Sequence, residues 1–187
     1  DLMGQYSKIK CEIDRNIISS IESGRFVNGP IVKEFSNNLS NYLNVQNVIP
    51  CANGTDALQI AFMALDLKQG DEIICPSWTY IATAEAAAVL GLKVIFCDVD
   101  INSWNMRLSD VEKVITDKTR AILMVHTYGL VAEAKKISQF CNEKNLILIE
   151  DAAEAHGQII DGQNTNNIEF DISSLIKSRF IRIRYIN

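Results

Sequence analysis

Short apolar runs alternate with helical patterns along most of the chain. Runs bounded by turn residues predict five β-strands, at 45–52, 72–75, 93–98, 120–126 and 146–150. Apolar positions that recur every three or four residues predict helices at 56–65, 79–90, 109–115 and 132–144. Ser109 and Glu112 have the spacing of a capping box at the start of the third of these helices. Strands with unbroken apolar runs, each followed by a helix, predict an α/β fold with three layers, α/β/α, around a mostly parallel sheet.

The two ends of the chain differ from this central pattern. Two amphipathic helices are predicted first, over 2–22 and 31–43, with a loop between them. The last stretch places Lys177, Arg179, Arg182 and Arg184 among β-branched residues, which is unlike anything before it. The predicted domains are therefore a helical segment at 1–44, an α/β domain at 45–174 and an aberrant basic tail at 175–187.

Composition and charge narrow the class of protein. The 187 residues are 48% hydrophobic and 22% charged, an ordinary globular balance, and they suffice for one sizeable core. The net charge of −5 argues against nucleic acid or an anionic membrane as partners. No apolar run approaches the ~20 residues of a membrane span, and no signal peptide is visible. Five scattered cysteines without a CxxC pair predict reduced thiols in a cytoplasmic protein, and two histidines give little basis for a metal site.

Residues after the first predicted strand form a candidate phosphate site. In parallel sheets the chemistry gathers beyond the carboxyl ends of the strands. Asn53-Gly54-Thr55 lies between a strand and a helix, where free N–H groups and the positive end of the helix dipole attract a phosphate. Strand–Gly–Thr–helix turns without a ligand are also common, so both interpretations stay open at this point.

Later strand ends carry an aromatic, an acid and two histidines. Tyr80 could stack on a planar cofactor or pack in the core with Trp78. Asp151 follows a very apolar strand, where a carboxylate is costly unless it has a partner. It could pair with a protonated pyridinium nitrogen, which makes such a ring an electron sink, or cap a following helix. His126 either shapes a site or is a hydrogen-bonded structural residue, and His156 either contacts a cofactor or lies on the surface.

The order of these segments resembles one family, the DegT/DnrJ/StrS-type sugar aminotransferases. The resemblance covers roughly residues 1–174 in eight blocks, among them Asn53-Gly54-Thr55-Asp56-Ala57-Leu58, Pro76-Ser77-Trp78-Thr79-Tyr80, Val125-His126-Thr127-Tyr128-Gly129 and Glu150-Asp151-Ala152-Ala153-Glu154. It implies the large domain of a fold-type I pyridoxal-phosphate enzyme and a homodimer with active sites near the interface. It also implies transamination from an amino acid, usually glutamate, to a nucleotide-linked keto-sugar, in amino-sugar biosynthesis for surface polysaccharide.

The resemblance also implies roles for single residues. Gly54 and Thr55 would hold the phosphate of pyridoxal 5'-phosphate, Tyr80 would stack on its ring, and Asp151 would pair with the ring nitrogen. Position 154 would lie beside the ring hydroxyl; the family most often has Gln or His there, whereas this chain has Glu154. An ionised carboxylate would repel a phenolate-like oxygen unless it were protonated.

The match breaks where the family has its Schiff-base lysine. Phe170-Asp171-Ile172-Ser173-Ser174 starts the expected segment, but the lysine position falls on Ile181 and a phosphate-binding serine position on Ile176. Lys177 lies about four residues too early. Because the lysine anchors the cofactor and moves the proton, its loss predicts almost no transamination.

Two hypotheses follow from this break. The first is a truncated and inactive copy of a sugar aminotransferase, without the C-terminal small domain, from a truncated or frameshifted reading frame. The second is a non-catalytic binding or regulatory partner of a full-length paralogue, which would hold the cofactor weakly or have lost it. A nucleotide-binding module of another kind is disfavoured, because neither a GxGxxG segment nor a Walker-type lysine follows the first strand.

Overall fold

The structure, a computed structural model, describes residues 1–156, 158–160, 163–164 and 181–184. Its helices are α1 (Leu2–Ser23), α2 (Pro30–Leu43), α3 (Gly54–Ala64), α4 (Ala82–Val89), α5 (Leu108–Val111) and α6 (Ala134–Lys144). Its strands are β1 (Glu72–Pro76), β2 (Lys93–Cys97), β3 (Thr119–Val125), β4 (Ile147–Asp151), β5 (Ile159–Ile160), β6 (Gln163–Asn164) and β7 (Ile181–Arg184). Most predicted elements agree with these bounds to within about three residues.

The main sheet has the strand order β2-β1-β3-β4-β7. The first four strands are parallel to one another, which confirms the predicted α/β class. β7 runs antiparallel to β4, with the backbone of Ile181 opposite Asp151 and that of Arg184 opposite Leu148. Part of the basic tail is therefore a sheet strand. Lys177 and Ile176 lie outside the described residues.

Two apolar clusters fill the space on the two faces of the sheet. One packs α3 and α4 against side chains that include Ile73, Leu123 and Ile149. The other packs residues of α5 and α6 against the alternate positions Ile74, Ile122, Met124 and Leu148. Since successive residues of a strand point to opposite faces, this alternation produces the three layers α/β/α.

The same alternation fixes the two acids at the end of β4. Ile149 belongs to the cluster under α3 and α4, so Asp151, two residues later, lies on that face. Leu148 belongs to the opposite cluster, and Glu150 follows it on the face of α5 and α6. The candidate phosphate helix α3 and Asp151 consequently share one face of the sheet.

Two local predictions were wrong. Residues 45–52 form no strand; only Ile49 takes part in a single-residue bridge, and Pro50 beside it has no N–H for a ladder. The capping box was also misplaced, because α5 begins at Leu108 and its first N–H donates to Glu133 Oε2 at 3.0 Å. A carboxylate from the start of α6 thus replaces the predicted Ser109 cap.

The N-terminal helix α1 stands apart from both clusters. Asp1 caps it by accepting the Gly4 N–H at 3.0 Å, and Gly24 ends it in the left-handed region at φ 62°. None of its 22 residues is buried. Of the helices in the described ranges, including this one, none is both long and apolar enough to cross a membrane.

Candidate active site

The start of α3 presents an open backbone cradle. Helix geometry leaves the N–H groups of residues 54–56 without intrahelical acceptors. Asn53 takes one of them, since its Oδ1 accepts the Asp56 N–H at 2.9 Å while its Nδ2 donates to Asp56 Oδ2 at 3.1 Å. Gly54 is exposed, and a Cβ added there would meet no atom within 4 Å. Gly54 therefore faces free space at the positive end of the helix, and Thr55 beside it is half-buried.

The aromatic residues after β1 are largely exposed. Tyr80 is 78% exposed, so core packing does not account for it. Trp78 is half-exposed and packs against Trp104, with ring centroids 4.8 Å apart and planes tilted by 46°. The free face of Tyr80 is compatible with stacking on a flat molecule, which stays a prediction.

The carboxyl group of Asp151 lies where ionisation is unfavourable. Its Oδ1 accepts the Ala153 N–H at 3.1 Å, and its backbone oxygen accepts the His126 N–H at 3.1 Å. Burial raises the pKa of Asp151, the charge of Glu154 raises it further, and the bond from Ala153 opposes the shift. Within residues 152–156 no helix follows, so Asp151 is not a helix cap. A half-buried carboxylate whose pKa is raised suits a cationic partner such as a protonated ring nitrogen.

Glu154 is engaged by the backbone of another loop. Its Oε2 accepts the Tyr128 N–H at 2.7 Å, within the range of charge-assisted hydrogen bonds. Tyr128 lies in a short 3-10 turn, Thr127–Gly129, directly after β3. Its side chain is 64% exposed at the edge where β3 and β4 end. Sequence reasoning gave Tyr128 no role, because nothing in its type signals that its N–H is held by a distant carboxylate.

The two histidines have separate environments. His126 is 1% exposed, and its Nδ1 accepts the Ala132 N–H at 3.3 Å, which matches the structural interpretation. Burial lowers the pKa of His126 to about 4, so its imidazole is neutral near pH 7. The His156 ring stacks on Tyr42 of α2 at 6.0 Å, which ties the loop after β4 to the N-terminal segment.

The carboxyl ends of three neighbouring strands lie at one edge of the sheet. β1, β3 and β4 are consecutive in the sheet and parallel, so the segments carrying Tyr80, Tyr128 and Asp151 leave it in the same direction. β7 brings the backbone of Ile181 to this edge beside Asp151. The position expected for the Schiff-base lysine thus holds an isoleucine next to the acid.

Known proteins resemble the chain in sequence and in fold. It is 39% identical over 168 residues to the UDP-2-acetamido-2-deoxy-3-oxo-D-glucuronate aminotransferase of Pseudomonas aeruginosa, covering 90% of this chain and 47% of that protein. It is 37% identical over 163 residues to a pleiotropic regulatory protein of Geobacillus stearothermophilus, covering 87% of this chain and 44% of that protein. The crystal structure of S. venezuelae DesV superimposes with a TM-score of 0.84 at 34% identity, over 88% of this chain and 44% of DesV.

These matches cover nearly the whole chain, while the chain spans about half the length of the curated relatives. The DesV match identifies the three-layer fold as that of the large domain of pyridoxal-phosphate aminotransferases. The family profile matches residues 7–175. This chain belongs to the DegT/DnrJ/EryC1/StrS aminotransferase family.

Proposed function

We propose that this chain is the cofactor-binding part of a nucleotide-sugar aminotransferase and holds pyridoxal 5'-phosphate without a covalent link. Aminotransferases of the family use this cofactor, which supplies an electron-accepting ring when it is bound. The observation that carries the proposal is Asp151, a carboxylate held at the sheet edge although burial raises its pKa. A cationic partner would offset that cost.

Each candidate residue has a task that its environment supports. The N–H groups of Gly54 and Thr55 would bind the phosphate, with the Thr55 hydroxyl as a further donor. Tyr80 would cover one face of the ring, and ionised Asp151 would hold the proton on the ring nitrogen. Glu154 would lie close enough to influence Asp151, since its charge raises the pKa of that carboxyl.

The residue at position 181 argues against transamination by this chain alone. The reaction needs a side chain that takes and returns a proton, and isoleucine has no titratable group. We therefore propose an inactive copy, or a chain that depends on another polypeptide for its lysine. Names of relatives such as the UDP-sugar aminotransferase suggest a nucleotide-linked keto-sugar as substrate of the complete protein. Glutamate as amino donor is proposed from the family resemblance alone.

A spectral titration with pyridoxal phosphate tests this proposal. We expect saturable binding by the chain and complete loss of the cofactor on dialysis, before and after borohydride treatment. Covalent labelling of a lysine by borohydride would contradict non-covalent binding. The matched control is Asp151→Asn, which keeps an acceptor for the Ala153 N–H but removes the charge.

A second candidate function is a non-catalytic regulatory partner. One relative is described as a pleiotropic regulatory protein, and it matches 87% of the chain. Helix α1 exposes apolar residues that another subunit could cover, Leu2, Met3, Ile9, Ile17, Ile18 and Ile21. We propose a homodimer, or pairing with a full-length paralogue, through the helical segment at 1–44. Co-purification of a tagged copy with an untagged one, compared with a tagged copy and the paralogue, separates these two assemblies.

A further inference from the structure

The turn after β3 is fixed by hydrogen bonds from two other loops. Asn105, in the loop after β2, accepts the Thr127 N–H at 2.9 Å through its Oδ1 and donates to the Leu130 carbonyl at 2.9 Å through its Nδ2. Asn105 is buried, so these bonds are shielded from water. The Leu130 N–H also donates to the Thr127 carbonyl at 3.0 Å. Both ends of the turn are thereby held before any ligand binds.

Backbone strain is concentrated at the middle of this turn. Tyr128 has φ 57°, in the left-handed region that a bulky residue rarely adopts. Gly129 follows at φ 78°, and a Cβ on it would lie 3.1 Å from the Glu154 backbone oxygen. The Glu154 carboxylate bonds the N–H of the strained residue at 2.7 Å. The hydrogen bond from Tyr128 to Glu154 thus offsets the backbone strain at Tyr128 itself.

The place of the turn connects it with the candidate site. Val125, the last residue of β3, pairs with Asp151, and the next N–H, that of His126, donates to the Asp151 carbonyl. The turn therefore begins directly beside the acid. Its one large side chain, Tyr128, is left mostly exposed, although the residues around it at 126 and 127 are buried. Because strained residues cluster at ligand-binding sites, the exposed ring on this preorganised turn is a candidate for contact with a ligand.

We propose that Glu154 is a positioning residue: it holds the Tyr128 turn as a preformed wall of the cofactor site, and Tyr128 makes the contact with the bound molecule. This rests on the proposed binding of pyridoxal phosphate. It differs from the role implied by resemblance, in which residue 154 lies beside the ring hydroxyl. The two roles demand different chemistry, because an amide can replace a carboxylate as acceptor of an N–H but does not carry its charge.

Four variants separate the two roles. Glu154→Gln keeps an oxygen that accepts the Tyr128 N–H, whereas Glu154→Ala removes it. Tyr128→Asn tolerates the left-handed conformation but deletes the ring. Glu154→Ala combined with Tyr128→Gly relieves the strain without the carboxylate. Each protein is measured for hydrogen exchange at the residue-128 amide and for pyridoxal phosphate affinity by spectral titration, with a thermal melt as control for folding.

We expect Glu154→Gln to keep amide protection and affinity within about threefold of wild type, since a neutral bond replaces a charge-assisted one. In Glu154→Ala the amide should exchange about tenfold faster and affinity should fall about tenfold, the range of a lost bond to a charged group. Tyr128→Asn should keep the protection and lose affinity. The double variant should melt like wild type and bind as weakly as Tyr128→Asn.

Three results would overturn the proposal. Unchanged affinity in Glu154→Ala would show that the carboxylate does not support binding, and a higher affinity than that of wild type would show that it acts on the ring by repulsion. Unchanged exchange at the residue-128 amide in that variant would show that Glu154 does not hold the turn. Unchanged affinity in Tyr128→Asn would show that Tyr128 does not contact the bound molecule. Failure of wild type to bind pyridoxal phosphate would instead defeat the proposed function and this proposal with it, while the exchange data still report on the turn.

Discussion

At the scale of single residues, Asp151 shows a conflict between folding and binding. Burial raises its pKa, so the folded chain holds the Asp151 proton more tightly than the unfolded chain does. Folding stability therefore falls as the pH rises from the ordinary aspartate range through the raised pKa, and it stays lower above that value. The same charge is what a protonated ring nitrogen would require. A site of this kind trades stability for affinity.

Replacing Asp151 with Asn separates the two effects. We expect Asp151→Asn to melt at a higher temperature than wild type at pH 7–8 and at the same temperature near pH 3, where the carboxyl is protonated in both states. Its affinity for pyridoxal phosphate should fall at least about tenfold, because a bond between charged groups contributes roughly 1.5–3 kcal/mol. Melting curves at both pH values and a spectral titration measure this. Equal or tighter binding by the variant would show that Asp151 does not take part in binding the cofactor.

His126 makes folding stability depend on pH in a second way. Its folded pKa of about 4 lies below the unfolded value, so the unfolded chain takes up the proton first as the pH falls. Stability should therefore decline between pH 6.5 and pH 4, by about 3 kcal/mol for this residue. His126→Asn keeps an acceptor for the Ala132 N–H without the titration. We expect the free energy of unfolding of His126→Asn, measured with denaturant, to fall less over this pH interval than that of wild type. An equal fall in the two proteins would show that His126 does not cause the loss.

At the scale of elements, the start of α3 allows binding to be tested apart from folding. Gly54 has open space around its Cα, so Gly54→Ala should fold normally and gain about 0.4–1 kcal/mol from the less flexible unfolded chain. The new methyl group would occupy the space proposed for the phosphate, and affinity for pyridoxal phosphate should fall about tenfold. Asn53→Ala is the converse control, since loss of the cap should cost about 1 kcal/mol of stability. A Gly54→Ala protein that binds as wild type does would place the phosphate elsewhere.

The elements also show what a sequence can predict. β1 was predicted to within one residue because a continuous apolar run ends at Pro76. Residues 45–52 are also largely apolar, but Pro50 has no N–H for a ladder and the segment stays outside the sheet. The cap from Glu133 to Leu108 and the bond from Tyr128 to Glu154 join residues about 25 positions apart, so no local pattern contains them. Local propensities predicted the layers, whereas the contacts that shape the site depend on how loops meet.

At the scale of the whole molecule, the stability of α1 is not accounted for by packing within one subunit. A helix of 22 residues with none buried has little to stabilise it within one subunit, because helix formation alone is marginal in water. Its apolar residues Ile17 and Ile18 precede Ile21 by four and three positions, so both lie on the same side of the helix as Ile21. A second subunit packed against this side would supply the missing burial. The proposed homodimer therefore depends on these isoleucines more than on the α/β core.

Ile18→Asp tests this dependence, with Ser19→Asp as the matched control that adds the same charge one residue away. Ile18 is 54% exposed in the single chain, so its replacement should leave the melting temperature of the monomer within about 2 °C of wild type. The same change would bury a charge in the proposed interface and should convert the dimer into a monomer in sedimentation equilibrium, whereas Ser19→Asp should stay dimeric. A wild-type chain that is monomeric at every concentration would refute the dimer. A large loss of stability in monomeric Ile18→Asp would mean instead that α1 packs on its own core.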